Sequence, residues 1–325
     1  MDAATLVGAD VMVDIEKLPA EAVGRFVQSL LEPLNIWIQA GQDRRNQKAD
    51  LEAYREVLAI NPSIERFEGL ATTIESSLQG ASGEQLRQAS NVVRAAVKAL
   101  SVVEPNEVDL EGLNPEFRHR WTSEASNVSD EVLGDLWARL LAGELDSPGS
   151  VSNDTMSVAR DMTKDAAEGF QKVCSMALYF VESGNPVLVM TLGDTEWADL
   201  YRKHGMNHGE LSDLAYYRLI EPTPSMYSIP SEIALRGFNV MWAGAPWAMK
   251  WIGDDHGWPD KGAPIRSIPG IRFTPAGRQV SRVVTRTHLT RELRADVIRH
   301  AKEVGWEMTS VLWPAGSIRC PTQGR

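Results

Sequence analysis

The 325-residue chain has two cysteines, Cys174 and Cys320, one on the apolar stripe of an expected helix and the other in a Pro/Gly-rich tail. Two distant thiols exclude a disulfide scaffold and point to a reducing compartment. The chain also lacks any run of about 18 apolar residues, the length a membrane-spanning helix needs. The nearest candidates, residues 26–40 and 170–181, are short and carry charged or amide groups. The first fourteen residues are acidic and have no basic stretch, so no signal peptide is expected. These absences predict a cytoplasmic protein with no membrane partner. No Gly-x-x-x-x-Gly-Lys-Ser/Thr loop, Gly-x-Gly-x-x-Gly turn, Gly-x-Ser-x-Gly elbow or Cys-x-x-Cys pair is present. With them go the usual signs of phosphate cradles, dinucleotide sites, serine hydrolases and thiol metal clasps. No cofactor and no resident metal is predicted.

Positive charge is scarce in the front of the chain. Residues 1–190 hold 16 Lys/Arg against 30 Asp/Glu, a net of −14, whereas residues 191–325 hold 17 against 14, a net of +3. An acidic front repels nucleic acid and anionic lipid, so any polyanion has to meet the rear.

The hydrophobic content of 43% is that of a folded protein. Val23, Phe26, Val27, Leu30, Leu31, Leu34 and Ile38 recur at helical spacing, with an interruption expected at Pro33. Their polar face is not rich in Lys or Arg, so packing against other helices is favoured over lying on a membrane. Leu86, Ala89, Val93, Ala96, Val97 and Leu100 form a second stripe. Further helices are read after Ser129, Ser152 and Thr163 as N-caps, the last running through Phe170 and Cys174 to Val181. Beyond Pro186 the composition changes. Residues 187–190 are ambiguous between strand and helix. Two short helices, 195–203 and 209–219, precede strand-like segments at 227–229, 233–242, 271–273 and 306–313, an order that resembles a winged helix. Trp242, Trp247, Trp251 and Trp258 fall in what reads as a loop-rich insertion, more in keeping with packing than with stacking on bases. The predicted fold is mainly α: a helical region at 1–114, a three-helix segment at 115–185, and a winged-helix-like α+β domain at 186–325.

Three constellations bear on function. Arg278, Arg282 and Arg286 recur every fourth residue on one expected helix spanning 276–304, continued by Arg291, Arg294, Arg299 and Lys302. Such a ridge suits phosphates or a protein partner, and equally suits the chain's own acidic half. Asp254, Asp255 and His256 put two carboxylates beside an imidazole, the weaker alternative of a metal-dependent nuclease or toxin; a solvated turn is the better reading. His204 and His208 are four apart, but Gly205 and Asn207 between them argue for a turn rather than a metal-binding helix face.

The stretch 127–150, with Asn127, Ser129, Trp137, Gly143 and Pro148, resembles a bacterial family known only as a domain of unknown function. It is similar, more distantly, to the alpha family of abortive-infection proteins. The likeness continues through Ser152, Lys164 to Ala166 and Phe170, with weaker matches at residues 44–47, 88–91 and 273–277. It implies a bacterial setting and phage defence, and transfers no catalytic residue. The combined expectation is a non-enzymatic interaction or regulatory protein. Its partner is a protein or a second copy of itself, or nucleic acid held by the rear half. The alternatives are the nuclease and an abortive-infection effector acting at the membrane through residues 22–40.

Overall fold

A computed structural model describes residues 20–34, 83–103, 112–180, 186–189, 202, 206, 208–223, 225–253, 265–286, 289–303 and 305–311. The chain divides into two compact units, one within residues 9–160 and the other within 161–324. The described part is mainly helical, with an antiparallel sheet in the rear unit, as the sequence predicts.

The front unit begins with α1 (Ala20–Leu31), which buries Val23, Phe26, Val27, Leu30 and Leu31 on one face. It gives way at Pro33 to a single 3₁₀ turn, Glu32–Leu34, because proline cannot donate the next backbone hydrogen bond. The following elements are α2 (Gly83–Leu100), α3 (Pro115–Ala125), α4 (Glu131–Asp146) and α5 (Asn153–Asp161). Buried alanines 89, 95, 96 and 99 on α2 leave room for α4 to pack along it. The starts of α3, α4 and α5 each carry a cap. The Asn114 side chain accepts the backbone N–H of Glu116 at 2.8 Å, with Pro115 in the first turn. Asp130, rather than Ser129, caps α4, accepting from Val132 at 2.9 Å and Leu133 at 3.1 Å. Ser129 is turned to α2, where its hydroxyl accepts from Arg87 at 3.0 Å. Ser152 caps α5 as expected, accepting the Thr155 N–H at 3.2 Å. At the centre, the indole N–H of Trp121 donates to the backbone carbonyl of Trp137 at 2.9 Å, joining α3 to α4 through two fully buried tryptophans.

The turn after α4 is held from inside the helix. The Glu144 carboxylate, only 3% exposed, accepts the backbone N–H groups of Gly149 at 2.7 Å and Val151 at 3.0 Å. The Ser150 hydroxyl donates to the Gly143 carbonyl at 2.9 Å. Gly149 has φ 81°, the left-handed region that favours glycine. Pro148 lies exposed in the same turn.

The rear unit opens with α6 (Lys164–Met176), capped by Thr163. Here the sequence reading is corrected: the helix stops at Met176, and 178–180, expected to continue it, form β1 (Leu178–Phe180). The apolar run Leu178–Phe180 is buried on every side, which erases the alternation that marks a strand. The elements that follow are β2 (Pro186–Val189), α7 (His208–Tyr216), β3 (Ser225–Pro230), α8 (Ser231–Arg236), β4 (Phe238–Trp242), β5 (Ala245–Trp251), β6 (Ile265–Arg272), α9 (Pro275–Val283), α10 (Arg291–Glu303) and β7 (Trp306–Ser310). Three further expectations change. The segment 233–242 is half helix and half strand. The supposed loop carrying Trp247 and Trp251 is the second arm of a β4–β5 hairpin. The single helix expected over 276–304 is two. The hairpin turns through Ala243 (φ 51°) and Gly244 (φ 76°), two consecutive left-handed residues whose twist suits a two-residue connection.

The seven described strands pair antiparallel in the order β3-β6-β2-β1-β4-β5-β7. The sheet is strongly curled. Phe180 on β1 and Tyr227 on β3 stack at 4.2 Å although β2 and β6 lie between their strands, and α8 packs against both β3 and β5. On a flat sheet three strand spacings amount to about 14 Å. Aromatic contacts continue from Phe180 to Phe238 (5.6 Å), Phe238 to Trp306 (5.9 Å) and Trp306 to Trp251 (5.3 Å).

The first turn of α9 is seated on a backbone corner. Thr274 caps the helix, accepting the Gly277 N–H at 2.9 Å, and its own backbone N–H donates to the Leu219 carbonyl at 3.1 Å. A β-carbon on Gly277 would lie 1.8 Å from that same carbonyl oxygen. Only glycine permits this approach, which accounts for Gly277 in the segment 273–277. Gly277→Ala is therefore expected to destabilise the protein by about 3 kcal/mol, the upper part of the range for overpacking. Gly24→Ala, where the added atom meets nothing within 4 Å, should be neutral or stabilising by about 1 kcal/mol. Urea denaturation of the two variants measures the difference.

Candidate functional site

The basic ridge is distributed over three elements. Arg278 and Arg282 lie one turn apart on α9, but the helix ends at Val283 and Arg286 is beyond it. Arg282 is exposed, and Arg278 is half-buried and donates to the Phe273 carbonyl at 3.3 Å. Arg294 sits half-buried on α10, flanked by exposed Arg291 and Lys302. Among the described residues none of these six cations forms an ion pair, the internal use that the sequence left open. Arg299 differs: it pairs with Asp296 at 2.6 Å and Glu303 at 3.6 Å.

Arg286 is partly withdrawn from solvent. Its guanidinium carbon lies 4.2 Å from the centre of the Tyr179 ring, and its Nε and one Nη are buried without a hydrogen-bond partner. The aromatic face offsets part of the cost of that desolvation. Tyr179 is itself buried, its hydroxyl donating to the Cys174 carbonyl at 3.4 Å. Burial pushes the Cys174 thiol up to about 12, with the Arg286 charge working against the rise. Burial also holds the Tyr179 hydroxyl well above its ordinary range. Both groups are neutral near pH 7, so Cys174 is not poised as a nucleophile.

Most of the described tryptophans of the rear unit are core. Trp242, Trp251 and Trp306 are almost fully buried, and Trp247 is half-buried at 5.4 Å from Trp242. The Trp251 ring is pressed against Gly253 and Gly305, where a β-carbon would lie 2.7 and 2.6 Å from it. Trp258, Asp254, Asp255, His256 and His204 lie outside the described residues, while His208 begins α7, exposed, beside Ser212. Among the described residues no group of three His, Cys, Asp or Glu could hold a metal ion, and no helix is long and apolar enough to cross a membrane.

In the front unit a cavity of about 180 Å³ opens between α2 and α4, lined by Asn91, Arg94, Lys98, Glu131, Asp135 and Trp137, with alanines 95 and 125, Val128 and Gly134. Sequence reasoning missed it. The only trace in the sequence is polar or charged residues at 91, 94 and 98 beside an otherwise alanine-rich stripe. Asp135 forms an ion pair with Lys98 at 2.8 Å and accepts from Arg139 at 3.0 Å. Burial pushes its carboxyl up, but the Lys98 hydrogen bond and the Arg139 and Lys98 charges outweigh it and hold the group below its ordinary value. Of the residues singled out in 127–150, Trp137 forms part of the cavity wall, whereas Asn127 is exposed and donates to the Ser123 carbonyl at 2.8 Å.

A folded-state value below the unfolded one makes the Asp135 contribution complete above about pH 4, and it is lost as pH falls through the lower folded value. Asp135→Asn is thus expected to cost about 1–2 kcal/mol at neutral pH. The gap between variant and parent should close as thermal melts are taken below about pH 3.

Residues 80–220 match a family model described as a protein of unknown function, DUF2806. No curated protein and no solved structure matches the chain. By this match, which covers the cavity and the helices around it, residues 80–220 are similar to a domain family whose description assigns no activity.

Proposed function

We propose that this is a non-enzymatic interaction or regulatory protein of the bacterial cytoplasm whose rear unit contacts nucleic acid through α9 and α10. The observation that supports it is the set of cations at Arg278, Arg282, Arg291, Arg294 and Lys302 that form no ion pair among the described residues, in a chain with 11 more acidic than basic side chains. Cations not engaged by the chain's own carboxylates remain available to phosphates, whose neutralisation releases counterions. Arg286 is left out of this surface because it is stacked on Tyr179. The winged-helix likeness would give the contact to α7. That helix carries Glu210 and Asp213 and no Lys or Arg, so the phosphate contact is placed on α9 and α10 instead. The setting of phage defence rests on the likeness of residues 127–170 to abortive-infection proteins.

The test is retention of labelled single- and double-stranded DNA and RNA on a filter at about 50 and 200 mM salt, a range over which phosphate-driven binding weakens steeply. The unmodified chain should bind at the lower salt. Arg282→Glu with Arg291→Glu should weaken binding at least tenfold and flatten the salt dependence by about 0.9 for each phosphate contact removed. Both side chains are exposed, and glutamate at the first position of α10 suits the helix dipole, so the fold should be kept. Absence of retention by the unmodified protein at the lower salt defeats the proposal.

A further inference from the structure

The cavity between α2 and α4 has charges at its rim that the fold does not consume. Lys98 and Arg139 are both engaged by Asp135. Arg94, one turn before Lys98, is exposed and makes a single contact, its Nη2 donating to the Asn91 side-chain oxygen at 2.7 Å. Asn91 is 5% exposed, and its amide N–H₂ donates to the Ser126 carbonyl at 2.9 Å. A buried amide thus fixes the guanidinium in place and leaves most of its N–H groups unused, an arrangement suited to a carboxylate. Across the opening, Glu131 is exposed and makes no hydrogen bond or ion pair among the described residues. Its place in the first turn of α4 is electrostatically favourable, which explains its tolerance there but not its position on the cavity rim.

Beside these charges and the Lys98–Asp135 pair, the lining has an apolar part: Ala95, Ala125, Val128 and Trp137. Trp137 is 1% exposed, and its indole N–H is buried without an acceptor, although its own carbonyl is engaged by Trp121. A cavity of this order takes an apolar body of about six heavy atoms.

One free cation, one free anion and a small apolar floor match one chemical class. We propose that the cavity binds a small zwitterion, an α-amino acid with a short aliphatic side chain. Arg94 would hold its carboxylate, Glu131 its ammonium group, and the floor beside Trp137 its side chain. The site is independent of the polyanion surface proposed for the rear unit.

The experiment is isothermal titration of the full chain with L-leucine, with 4-methylpentanoate, which lacks the ammonium group, and with 3-methylbutylamine, which lacks the carboxylate. The expected result is leucine binding with a Kd of about 1 mM or tighter, and both analogues at least tenfold weaker. Arg94→Ala should weaken leucine and 4-methylpentanoate alike. Glu131→Gln should weaken leucine and leave 4-methylpentanoate unchanged. Gly134→Leu, at a wall position where an added β-carbon meets nothing within 4 Å, should abolish binding by filling the opening. Circular dichroism of each variant checks the fold. The proposal is overturned if leucine fails to bind the unmodified chain. Equal affinity for leucine and 4-methylpentanoate, or binding that all three variants leave untouched, overturns it as well.

Discussion

Which cations of this molecule stay open to a ligand depends on which of them its own carboxylates already occupy. A surface ion pair adds little to stability, but it decides whether a guanidinium or ammonium group remains free to meet something else. In the front unit Asp135 engages both Lys98 and Arg139, and Arg94 is left held only by an amide. In the rear unit Asp296 and Glu303 engage Arg299, and Arg282, Arg291 and Lys302 are left without an acidic partner among the described residues. The net charge of −11 conceals this. Local pairing, not the sum, decides which cations are left without an acidic neighbour among the described residues.

The rear unit is built around large aromatic side chains and the glycines that make room for them. Trp251 fits because Gly253 and Gly305 present no β-carbon to its ring, and Gly305 also takes a φ of 94° that other residues avoid. The curl of the sheet brings Phe180 against Tyr227 and leaves little indole surface for a ligand. Half-buried Arg286 is held against the same region, its guanidinium lying over the Tyr179 ring. Side chains that look like recognition elements in a linear sequence are here the material of the interior.

The segment 127–150 has a structural explanation for most of its distinctive residues. Asp130 caps α4, Trp137 joins it to α3 and fills the core, and Glu144 satisfies two backbone donors of the following turn. Gly149 supplies the left-handed residue that turn requires. A buried carboxylate is costly unless its oxygens are hydrogen-bonded, and here two backbone N–H groups serve it. In this chain those residues serve first to pack α3, α4 and α5. The cavity formed by α2 and α4 is a separate feature of the same region.

Helical periodicity was legible wherever one face is buried and the other wet, as in α1, α2 and α4, and so were the caps at Ser152 and Thr163. That a mainly helical chain carries an α+β part towards its rear could be read from periodicity and composition. The end of α6 at Met176 could not, because Leu178, Tyr179 and Phe180 are buried on both faces and an unbroken apolar run does not distinguish helix from strand. The β4–β5 hairpin was hidden by Ala243, a residue that rarely takes a left-handed conformation. Sequence by itself determined where each helix face is apolar and on which half positive charge collects, since both follow from residue order along one strand or helix. Only tertiary structure decided that Arg286 is stacked on Tyr179, that Arg94 and Glu131 flank one cavity, and that Gly277 meets the carbonyl of Leu219. Those relations join residues far apart in the chain, and no local pattern encodes a distance across a fold.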